Sequence, residues 1–364
     1  MDDLAHLATT PAFIVDRKRL QRNCERMREK AASSGVTFRP HVKTHKVAQI
    51  GRMQHGGGFG PITVSTLAEA EHFADAGFRD ITYAVPIAPE KLPRAAALAA
   101  RVERLNILLD SYDALRAVES FGTLFDVFLK IDCGYHRAGV EIHHPDSLRL
   151  ALDIARSPMI RFRGLLTHAG HSYNARDLEE VRRIAAQEAA VLTRFRALDA
   201  ELADVTRSIG STPTASIVER FAECDEVRPG NYVFYDAFQA TLGSCALDDV
   251  AVSVLTTVVG SYPERRALIV DAGALALSKD VGPDHLDPAF GFGIVCDLDL
   301  EPLPMKLIAL SQEHGKIATE TTLPVGTRLR IIPNHSCLTA AMYETYQIVD
   351  GQRIVDQWRP ARGW

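Results

Sequence analysis

Short apolar runs alternate with longer amphipathic stretches over the first two thirds of the chain. The apolar runs predict strands at 36–39, 62–65, 81–84, 105–109, 125–131, 162–167, 205–209 and 226–228. Most of the segments between them predict helices, and the longest of these cover 16–33 and 177–202. Thr66 with Glu69 is the signature of a capping box, and Gly77 follows as a typical helix-ending residue. The pattern is therefore one of repeated strand–helix units.

Repeated strand–helix units require parallel pairing of the strands, because each crossover helix returns the chain to the same edge of the sheet. Eight such units favour an α/β fold of the closed (β/α)8 TIM-barrel type. An open, doubly wound sheet is the alternative, and periodicity does not separate the two. In a barrel, function is expected on the loops that follow the strands.

The pattern of alternating strands and long helices ends at about residue 240. The segments 250–262, 266–273, 327–336 and 346–358 are rich in β-branched residues and have no long helices between them. Asp350-Gly351 is a hairpin signal. We therefore predict a barrel over 10–240 and a mainly antiparallel β domain over 241–364, with the boundary between 236 and 248. Residues 1–9 are a candidate for packing on the β domain.

Composition narrows the class of protein without identifying it. The 364 residues are 46% hydrophobic and 24% charged, as in ordinary globular proteins, and the net charge of -5 gives no reason to propose a nucleic-acid partner. The six cysteines lie far apart without a C-x-x-C pair, which favours a reducing compartment. No signal peptide and no apolar run of membrane-spanning length is seen, so we expect a cytoplasmic protein without a membrane partner.

The loop after the first predicted strand reads Arg-Pro-His-Val-Lys-Thr-His-Lys over 39–46. One interpretation is a basic loop that faces solvent. The other is that Lys43, crowded by Arg39, His41, His45 and Lys46, has a lowered pKa. A neutral amine of that kind is a nucleophile able to form an imine with a carbonyl group.

Two further loops carry polar side chains directly after strands. The segment 130–139 contains an arginine between two glycines, and 167–173 contains two histidines and a tyrosine. A single histidine in such a loop more often has a structural role than a functional one. A second histidine and a tyrosine shift this expectation toward a functional site only modestly. These loops are therefore secondary candidates for a site.

The segments 210–214 (Gly-Ser-Thr-Pro-Thr) and 228–232 (Arg-Pro-Gly-Asn-Tyr) follow the last two predicted barrel strands. A Gly/Ser/Thr turn before a helix offers backbone N–H groups to an anion, although an ordinary N-cap explains the first segment equally well. Phosphate sites of barrels often form from the loops after strands seven and eight. A barrel with a lysine nucleophile and a phosphate cradle suggests pyridoxal phosphate.

The β domain contains His335-Ser336-Cys337, read as the continuation of a strand. The two-residue period of a strand would place His335 and Cys337 on one face, where imidazole and thiolate could bind one metal ion. A buried cysteine beside a hydrogen-bonded histidine is the more ordinary explanation. Ligands of this softness favour zinc, and two protein ligands would leave positions open as in catalytic sites.

The chain resembles the fold-type III pyridoxal-phosphate enzymes of the D-serine dehydratase and D-threonine aldolase group, distant relatives of the alanine racemases. The resemblance begins with RPHVKTHK after TPAFIVD and runs through nearly the whole chain. The other segments that carry it are TLAEAEHFADAGFRDITYA, KIDCGYHRAG, THAGHSY, GSTPT, RPGNYVFYD, SQEHG and PNHSCLTAA. It implies a barrel, a β domain and a homodimer with active sites between the subunits.

The resemblance also assigns roles to single residues. Lys43 matches the lysine that binds the cofactor as an imine, Arg137 the arginine near the cofactor's phenolic oxygen, and His168 the histidine against its ring; these three are the candidate catalytic residues. His335 and Cys337 match the metal pair of the D-serine dehydratases. The remaining candidate cofactor-binding residues are Tyr173, Gly210, Ser211, Thr212, Gly230, Asn231 and Tyr232.

The implied activity is a metal-dependent dehydratase that converts a D-3-hydroxy amino acid, such as D-serine or D-threonine, into a 2-oxo acid and ammonia. Zinc is the favoured metal, with manganese and magnesium as alternatives. Aldol cleavage to glycine and an aldehyde is the first alternative activity, although in D-threonine aldolases the second metal ligand is aspartate and the GSTPT stretch differs. A non-catalytic pyridoxal-phosphate-binding protein is the second alternative.

Overall fold

The computed structural model describes residues 3–364. Its strands, in chain order, are β1 (Ala12–Asp16), β2 (Thr37–Phe38), β3 (Ile62–Val64), β4 (Asp80–Pro86), β5 (Arg104–Leu109), β6 (Phe125–Asp132), β7 (Val140–Glu141), β8 (Ile160–Leu166), β9 (Thr206–Ile209), β10 (Glu226–Val227), β11 (Val252–Tyr262), β12 (Ala267–Val270), β13 (Gly293–Cys296), β14 (Pro302–Leu310), β15 (Gly315–Ala318), β16 (Arg328–Pro333), β17 (Tyr346–Asp350) and β18 (Arg353–Trp358). Its α-helices are α1 (Arg17–Ser34), α2 (Ala48–Gln54), α3 (Leu67–Asp75), α4 (Leu92–Ala99), α5 (Tyr112–Phe121), α6 (Pro145–Arg156), α7 (Leu178–Arg196), α8 (Thr212–Ile217), α9 (Ala237–Leu242), α10 (Ala274–Leu277) and α11 (Ser336–Ala341).

The chain divides into two compact units. The barrel unit comprises Glu25–Gly230 with Ala361–Trp364, and the β unit comprises Asn231–Pro360 with the chain before Glu25. This division differs from the domains expected at 10–240 and 241–364, because β1 pairs with β11 and β17 in the sheet of the β unit. The three apolar residues at the centre of β1 are fully buried there, which is the physical reason for its position.

The barrel unit contains a parallel sheet in the order β2-β10-β9-β8-β6-β5-β4-β3. Its two ends are joined where the Thr63 N–H donates to the carbonyl of Pro40 at 2.9 Å and a parallel bridge pairs Thr63 with His41. The expected TIM-type barrel is therefore confirmed. Strand β6 is buried from Phe125 to Ile131, because helices cover the outside of a barrel and side chains fill its interior.

Local capping chemistry sets the helix ends. Thr66 accepts from the N–H of Glu69 at 3.0 Å to begin α3, as its sequence predicts. The helix expected over 177–202 is wrong at its far end, since α7 stops at Arg196. Asp199 then caps a separate 3-10 turn by accepting from the N–H of Glu201 at 2.9 Å, so the backbone leaves the helix there.

The β unit is mainly antiparallel, as expected. Strands β11, β12, β15, β14, β13 and β16 follow one another around a closed ring, and β1, β17 and β18 extend from β11. Leu4, Ile14, Leu255 and Val349 form one of its buried clusters. The Asp350-Gly351 turn joins β17 to β18, and Gly351 adopts the left-handed φ of 63° that this hairpin signal predicts.

Over residues 3–364, no helix combines the length and the apolar character needed to cross a membrane.

Candidate active site

Lys43 lies in a 3-10 turn, Val42–Thr44, that follows β2 at the carboxyl end of the barrel. The His41 N–H donates to the carbonyl of Pro229 at 2.9 Å, so this turn is bound to the loop after β10. A Cβ at Gly230 would lie 3.1 Å from the His41 Cβ, which is tight for any residue with a side chain. The sequence thus brings Lys43 and Gly230 to adjacent loops.

Two of the cations expected to crowd Lys43 are paired with carboxylates. Arg39 is buried and its Nε lies 2.6 Å from a Glu226 oxygen. The Lys46 Nζ lies 3.0 Å from a Glu69 oxygen. Each of these cations therefore has its own carboxylate, which offsets its charge.

Neutral imidazoles lie near Lys43. Burial lowers the pKa of His41 well below its usual value, and the Lys43 and Arg228 cations lower it further. Burial likewise lowers the pKa of His168 well below its usual value, with the Lys43 cation as the next cause. Burial lowers the pKa of His45 to about 3. These three histidines are thus uncharged, and His41 and His168 are near enough for the Lys43 charge to lower their pKa.

His168 has a defined orientation. Its Nδ1 lies 2.6 Å from the carbonyl oxygen of Gly210. A carbonyl only accepts hydrogen bonds, so Nδ1 donates and Nε2 carries the lone pair. Gly210 has a φ of 147°, and a Cβ there would lie 2.8 Å from the backbone nitrogen of Arg228, so only glycine fits at this contact.

The segment expected to bind phosphate forms the start of α8. Ser211 caps the helix by accepting from the N–H of Thr214 at 3.4 Å, and its hydroxyl also lies 2.9 Å from the Ser172 hydroxyl. Thr212 is buried as the first residue of α8. The N-cap explanation is confirmed, and the hydrogen bonds fix this loop against the one that follows β8.

Arg137 and Tyr173 flank the strand-end loops. The Arg137 guanidinium is exposed and lies 4.9 Å from the centre of the Tyr135 ring. Its charge contributes to the lowered pKa of His168, after burial and the nearer lysines. Tyr173 is half-buried in the 3-10 turn Gly170–Asn174.

Sequence reasoning assigned no role to three polar groups near these loops. Lys130 is a buried lysine in apolar β6, where burial lowers its pKa to about 7, with the Arg228 charge as the next cause. Arg228 is buried and its Nε donates to the Ser208 hydroxyl at 2.8 Å. Glu188 is a buried acid on α7. A charged residue inside an otherwise apolar pattern is the signal that could have found Lys130 and Glu188.

His335 and Cys337 lie in the β unit, and the strand predicted through them is wrong. Strand β16 ends at Pro333, His335 is the N-cap of α11, and Cys337 is in its first turn. The Asp236 carboxylate accepts from the N–H of Ser336 at 3.0 Å and so stabilises the start of the helix. The turn of the helix, not a strand face, brings the imidazole and thiol into hydrogen-bond contact.

Carboxylates face this pair. The His335 Nδ1 lies 3.1 Å from an Asp280 oxygen. Burial alone would lower the pKa of His335, but hydrogen bonds to Asp280 and Cys337 and the charge of Asp236 raise it well above its usual value. The hydrogen bond to His335 lowers the pKa of Asp280. A histidine ligand oriented by a carboxylate on its other nitrogen is a common arrangement in metal sites.

Asn231 and Tyr232, expected to bind phosphate, also lie in the β unit. The Asn231 amide donates to Asp236 at 2.8 Å and to the Ser336 hydroxyl at 2.8 Å, and it lies 3.6 Å from the Cys337 sulfur. Tyr232 is fully buried. The Asn231 side chain is thus engaged with the start of α11.

His335 Nε2 and Cys337 Sγ are the pair of donors here that could hold a metal. Within the described part of the chain, no cluster of three or more His, Cys, Asp or Glu side chains has metal-binding geometry. A pair would leave further coordination positions open to water or substrate.

A parallel barrel with a lysine amine at its carboxyl end, followed by an antiparallel β unit, defines an alanine-racemase-like fold. Residues 15–237 match the family model described as the alanine racemase N-terminal domain, and residues 251–349 match that of a serine dehydratase domain. The chain therefore belongs to the alanine racemase N-terminal-domain family, in the branch with a dehydratase-type β domain.

Known relatives match the whole chain. The D-threo-3-hydroxyaspartate dehydratase of Delftia sp. (strain HT23) is 40% identical over 100% of both chains. The D-serine dehydratase of Dictyostelium discoideum is 38% identical over 100% of this chain and 99% of that protein. A solved structure titled as a cysteine-to-alanine mutant of D-threo-3-hydroxyaspartate dehydratase in the metal-free form is 39% identical, covers 100% of both chains and has a TM-score of 0.92. The D-threonine aldolase of Arthrobacter sp. is 29% identical over 100% of this chain and 95% of that protein.

Proposed function

We propose that this protein is a pyridoxal-phosphate- and metal-dependent dehydratase, which converts a D-3-hydroxy amino acid into a 2-oxo acid and ammonia. The observation that carries the proposal is the full-length similarity to two dehydratases at 40% and 38% identity. The placement of Lys43 among neutral imidazoles at the carboxyl end of the barrel supports it independently.

The barrel-end residues fit pyridoxal phosphate. Lys43 supplies an amine for the aldehyde, and Arg137 supplies a cation for the phenolic oxygen. Gly210 and Gly230, at which a Cβ would meet backbone or His41 atoms, allow close approach of a phosphate to the strand-end loops. We therefore assign phosphate binding to the loop 210–212 and to Gly230, with Tyr173 as a neighbouring contact. Asn231 and Tyr232 remain predicted contacts.

When bound, the cofactor supplies an electron sink that stabilises negative charge at the substrate Cα. Lys43 would hold the cofactor through its Nζ until the substrate amine takes that place. The Lys43 Nζ would then be free to accept the proton from Cα. His168, kept neutral and oriented by Gly210, would contact the cofactor ring without adding a positive charge.

The thiol–imidazole pair fits a divalent metal. A thiolate and an imidazole are ligands that favour zinc over manganese and magnesium. Metal analysis of the purified protein would distinguish zinc from these two alternatives. When bound, the metal supplies Lewis acidity at the substrate's β-hydroxyl and so eases the loss of hydroxide. Asp280 would orient His335 and favour its metal-binding tautomer.

We also propose that the enzyme is a homodimer located in the cytoplasm. The dimer is what the family resemblance implies, and the scattered cysteines suit a reducing compartment. Sedimentation at micromolar concentration tests the first statement.

Product analysis tests the proposed activity. The purified protein, supplied with pyridoxal phosphate and zinc, is incubated with D-serine, D-threonine and D-threo-3-hydroxyaspartate. We expect equal amounts of a 2-oxo acid and ammonia from at least one of them. Glycine with an aldehyde would instead support the aldolase activity that the Arthrobacter relative suggests. Bound cofactor without turnover of any of the three would overturn the proposal in favour of a non-catalytic binding protein.

A further inference from the structure

Glu188 joins the two loops that carry His168 and the proposed phosphate site. Its side chain is 1% exposed on α7, and its Oε1 accepts the N–H of Ala169 at 2.9 Å and the N–H of Gly210 at 3.1 Å. Its Oε2 accepts the Thr214 hydroxyl at 3.4 Å. One carboxylate therefore binds the backbone after β8 and the backbone after β9.

These contacts lie on both sides of the hydrogen bond that orients His168. Ala169 directly follows His168, and Gly210 is the residue whose carbonyl accepts from the His168 Nδ1 at 2.6 Å. Gly210 is thus fixed through its N–H by Glu188 and through its carbonyl by His168. If the side chain at position 188 were too short to accept from both N–H groups, the donor side and the acceptor side of the His168–Gly210 hydrogen bond would both lose a fixed contact.

Packing alone does not hold this loop. A cavity of about 400 Å3 lies between α7, α8 and the segment 218–223, and Glu188, Gly210 and Thr214 contribute to its wall. One side of Gly210 and of Thr214 therefore borders open space and not packed side chains. The Glu188 carboxylate therefore joins the two loops by hydrogen bonds, which its apolar neighbours cannot form.

Glu188 is a buried carboxyl group surrounded by hydrogen-bond donors and positive charges. Burial raises the pKa of Glu188, while the N–H donors of Gly210 and Ala169 and the charges of Arg228 and Lys130 oppose that rise. Buried acids are normally satisfied by hydrogen bonds, and here the two backbone donors lie on the loops that carry His168 and Gly210.

We infer that Glu188 is a positioning residue, which holds His168 and the loop 210–212 in register for the cofactor through the reach of its acceptor oxygens. The inference rests on the proposed function, since it assumes that these loops bind pyridoxal phosphate. It predicts that geometry matters more than charge at this position.

Two substitutions separate the effect of side-chain length at position 188 from the effect of its negative charge. Glu188→Gln keeps the length and an acceptor oxygen for both N–H groups but removes the charge, whereas Glu188→Asp keeps the charge and shortens the reach. Leu192→Ala, at a fully buried position four residues further along α7, is the control for loss of packing on this helix. The readouts are the dissociation constant for pyridoxal phosphate, the visible circular dichroism of the bound cofactor, and kcat and KM for the best D-3-hydroxy amino acid.

We expect Glu188→Asp to weaken cofactor binding at least fivefold, to change the visible circular dichroism, and to lower kcat more than it raises KM. Glu188→Gln is expected to stay within threefold of the wild type. Leu192→Ala is expected to lower the melting temperature while its cofactor affinity stays within threefold.

A Glu188→Asp protein with wild-type affinity, spectrum and kcat would overturn the inference, as would a Glu188→Gln protein impaired as strongly as Glu188→Asp. The wild type is measured first. If it neither binds pyridoxal phosphate nor turns over any of the three substrates, the proposed function itself fails, and the variants are not needed to decide it.

Discussion

The two units surround their candidate chemical groups with opposite charge. In the barrel unit, burial and cations such as Lys43 lower the pKa of His41 and His168, so these imidazoles are neutral. In the β unit, hydrogen bonds to Asp280 and Cys337 outweigh burial and raise the pKa of His335. The same residue type thus has opposite tendencies in the two units.

This difference indicates which ligands each region suits. A group of cations with neutral imidazoles favours anions, such as a phosphate and a substrate carboxylate. A thiol and carboxylates around one histidine favour a cation, and a divalent metal would displace the proton that His335 otherwise retains. The proposed assignment of cofactor to the barrel and metal to the β unit is therefore supported by charge as well as by resemblance.

The largest effect is expected from Lys43→Ala, which removes the amine from the barrel site. We expect kcat/KM to fall by roughly 1,000-fold or more, since covalent binding and proton transfer are both lost. The measurement is the rate of 2-oxo acid formation, together with the visible absorbance of the bound cofactor. Lys46→Arg, in the same loop, is the control and should stay within about threefold, because it removes a lysine amine but keeps a cation beside the buried Glu69 carboxylate. Equal rates in both variants would refute the assignment of the amine.

Cys337→Ala removes one donor from the β unit. We expect the metal-to-protein ratio to fall and kcat/KM to drop about 100-fold, because a Lewis acid contributes several kcal/mol to such a step. Elemental analysis after dialysis provides the measurement. Cys296→Ala is the control, since burial raises the pKa of that thiol to about 12 and keeps it protonated. Unchanged metal content in Cys337→Ala would contradict the metal assignment.

Asp280→Asn weakens the negative surroundings of His335 while keeping a hydrogen-bond acceptor. Metal affinity is expected to fall about 10- to 100-fold, as for other carboxylates that orient a histidine ligand. Competition with a chelator of known affinity measures it. Cofactor affinity, measured in the same samples, should not change. A loss of cofactor instead of metal would reverse the division of roles between the two units.

The smallest effect concerns stability and the neutral histidines of the barrel unit. His45 has a pKa of about 3 when folded and about 6.5 when unfolded, so between these values the unfolded chain binds a proton that the folded chain does not. The free energy of unfolding should therefore fall as the pH falls through this window, by up to about 1.4 kcal/mol per pH unit from this group.

Urea unfolding of the wild type and of His45→Asn at pH 7 and pH 5 measures this contribution. The asparagine keeps an acceptor for the N–H of Val47 but does not titrate. We expect a shallower pH dependence in the variant, and replacement of the exposed His143 by Asn serves as the control. An identical slope in His45→Asn and the wild type would mean that His45 is not held neutral.

The sequence predicted the fold well because the barrel depends on local patterns. The run at 125–131 is apolar apart from Asp126 and Lys130, and β6 covers Phe125–Asp132. The same holds for the Asp350-Gly351 hairpin, whose turn residues fix the backbone without help from distant parts of the chain.

The features that could not be predicted from the sequence depend on contacts between residues that are distant along the chain. The strand predicted through His335 fails because Asp236, 100 residues earlier, stabilises a helix start at Ser336. Arg39 looked free to crowd Lys43, yet its partner Glu226 lies 187 residues further along the chain. No local pattern records such pairs, so electrostatics could be read only from the structure.

The most direct test of the central claim is to find which lysine binds the cofactor. The protein loaded with pyridoxal phosphate is reduced with sodium borohydride, digested, and analysed by mass spectrometry for peptides that carry the pyridoxyl group. Lys130, buried in the barrel with a pKa of about 7, is the competing amine. We predict modification of the peptide that contains Lys43 and of no other. A pyridoxyl group on Lys130, or none on Lys43, would contradict the account.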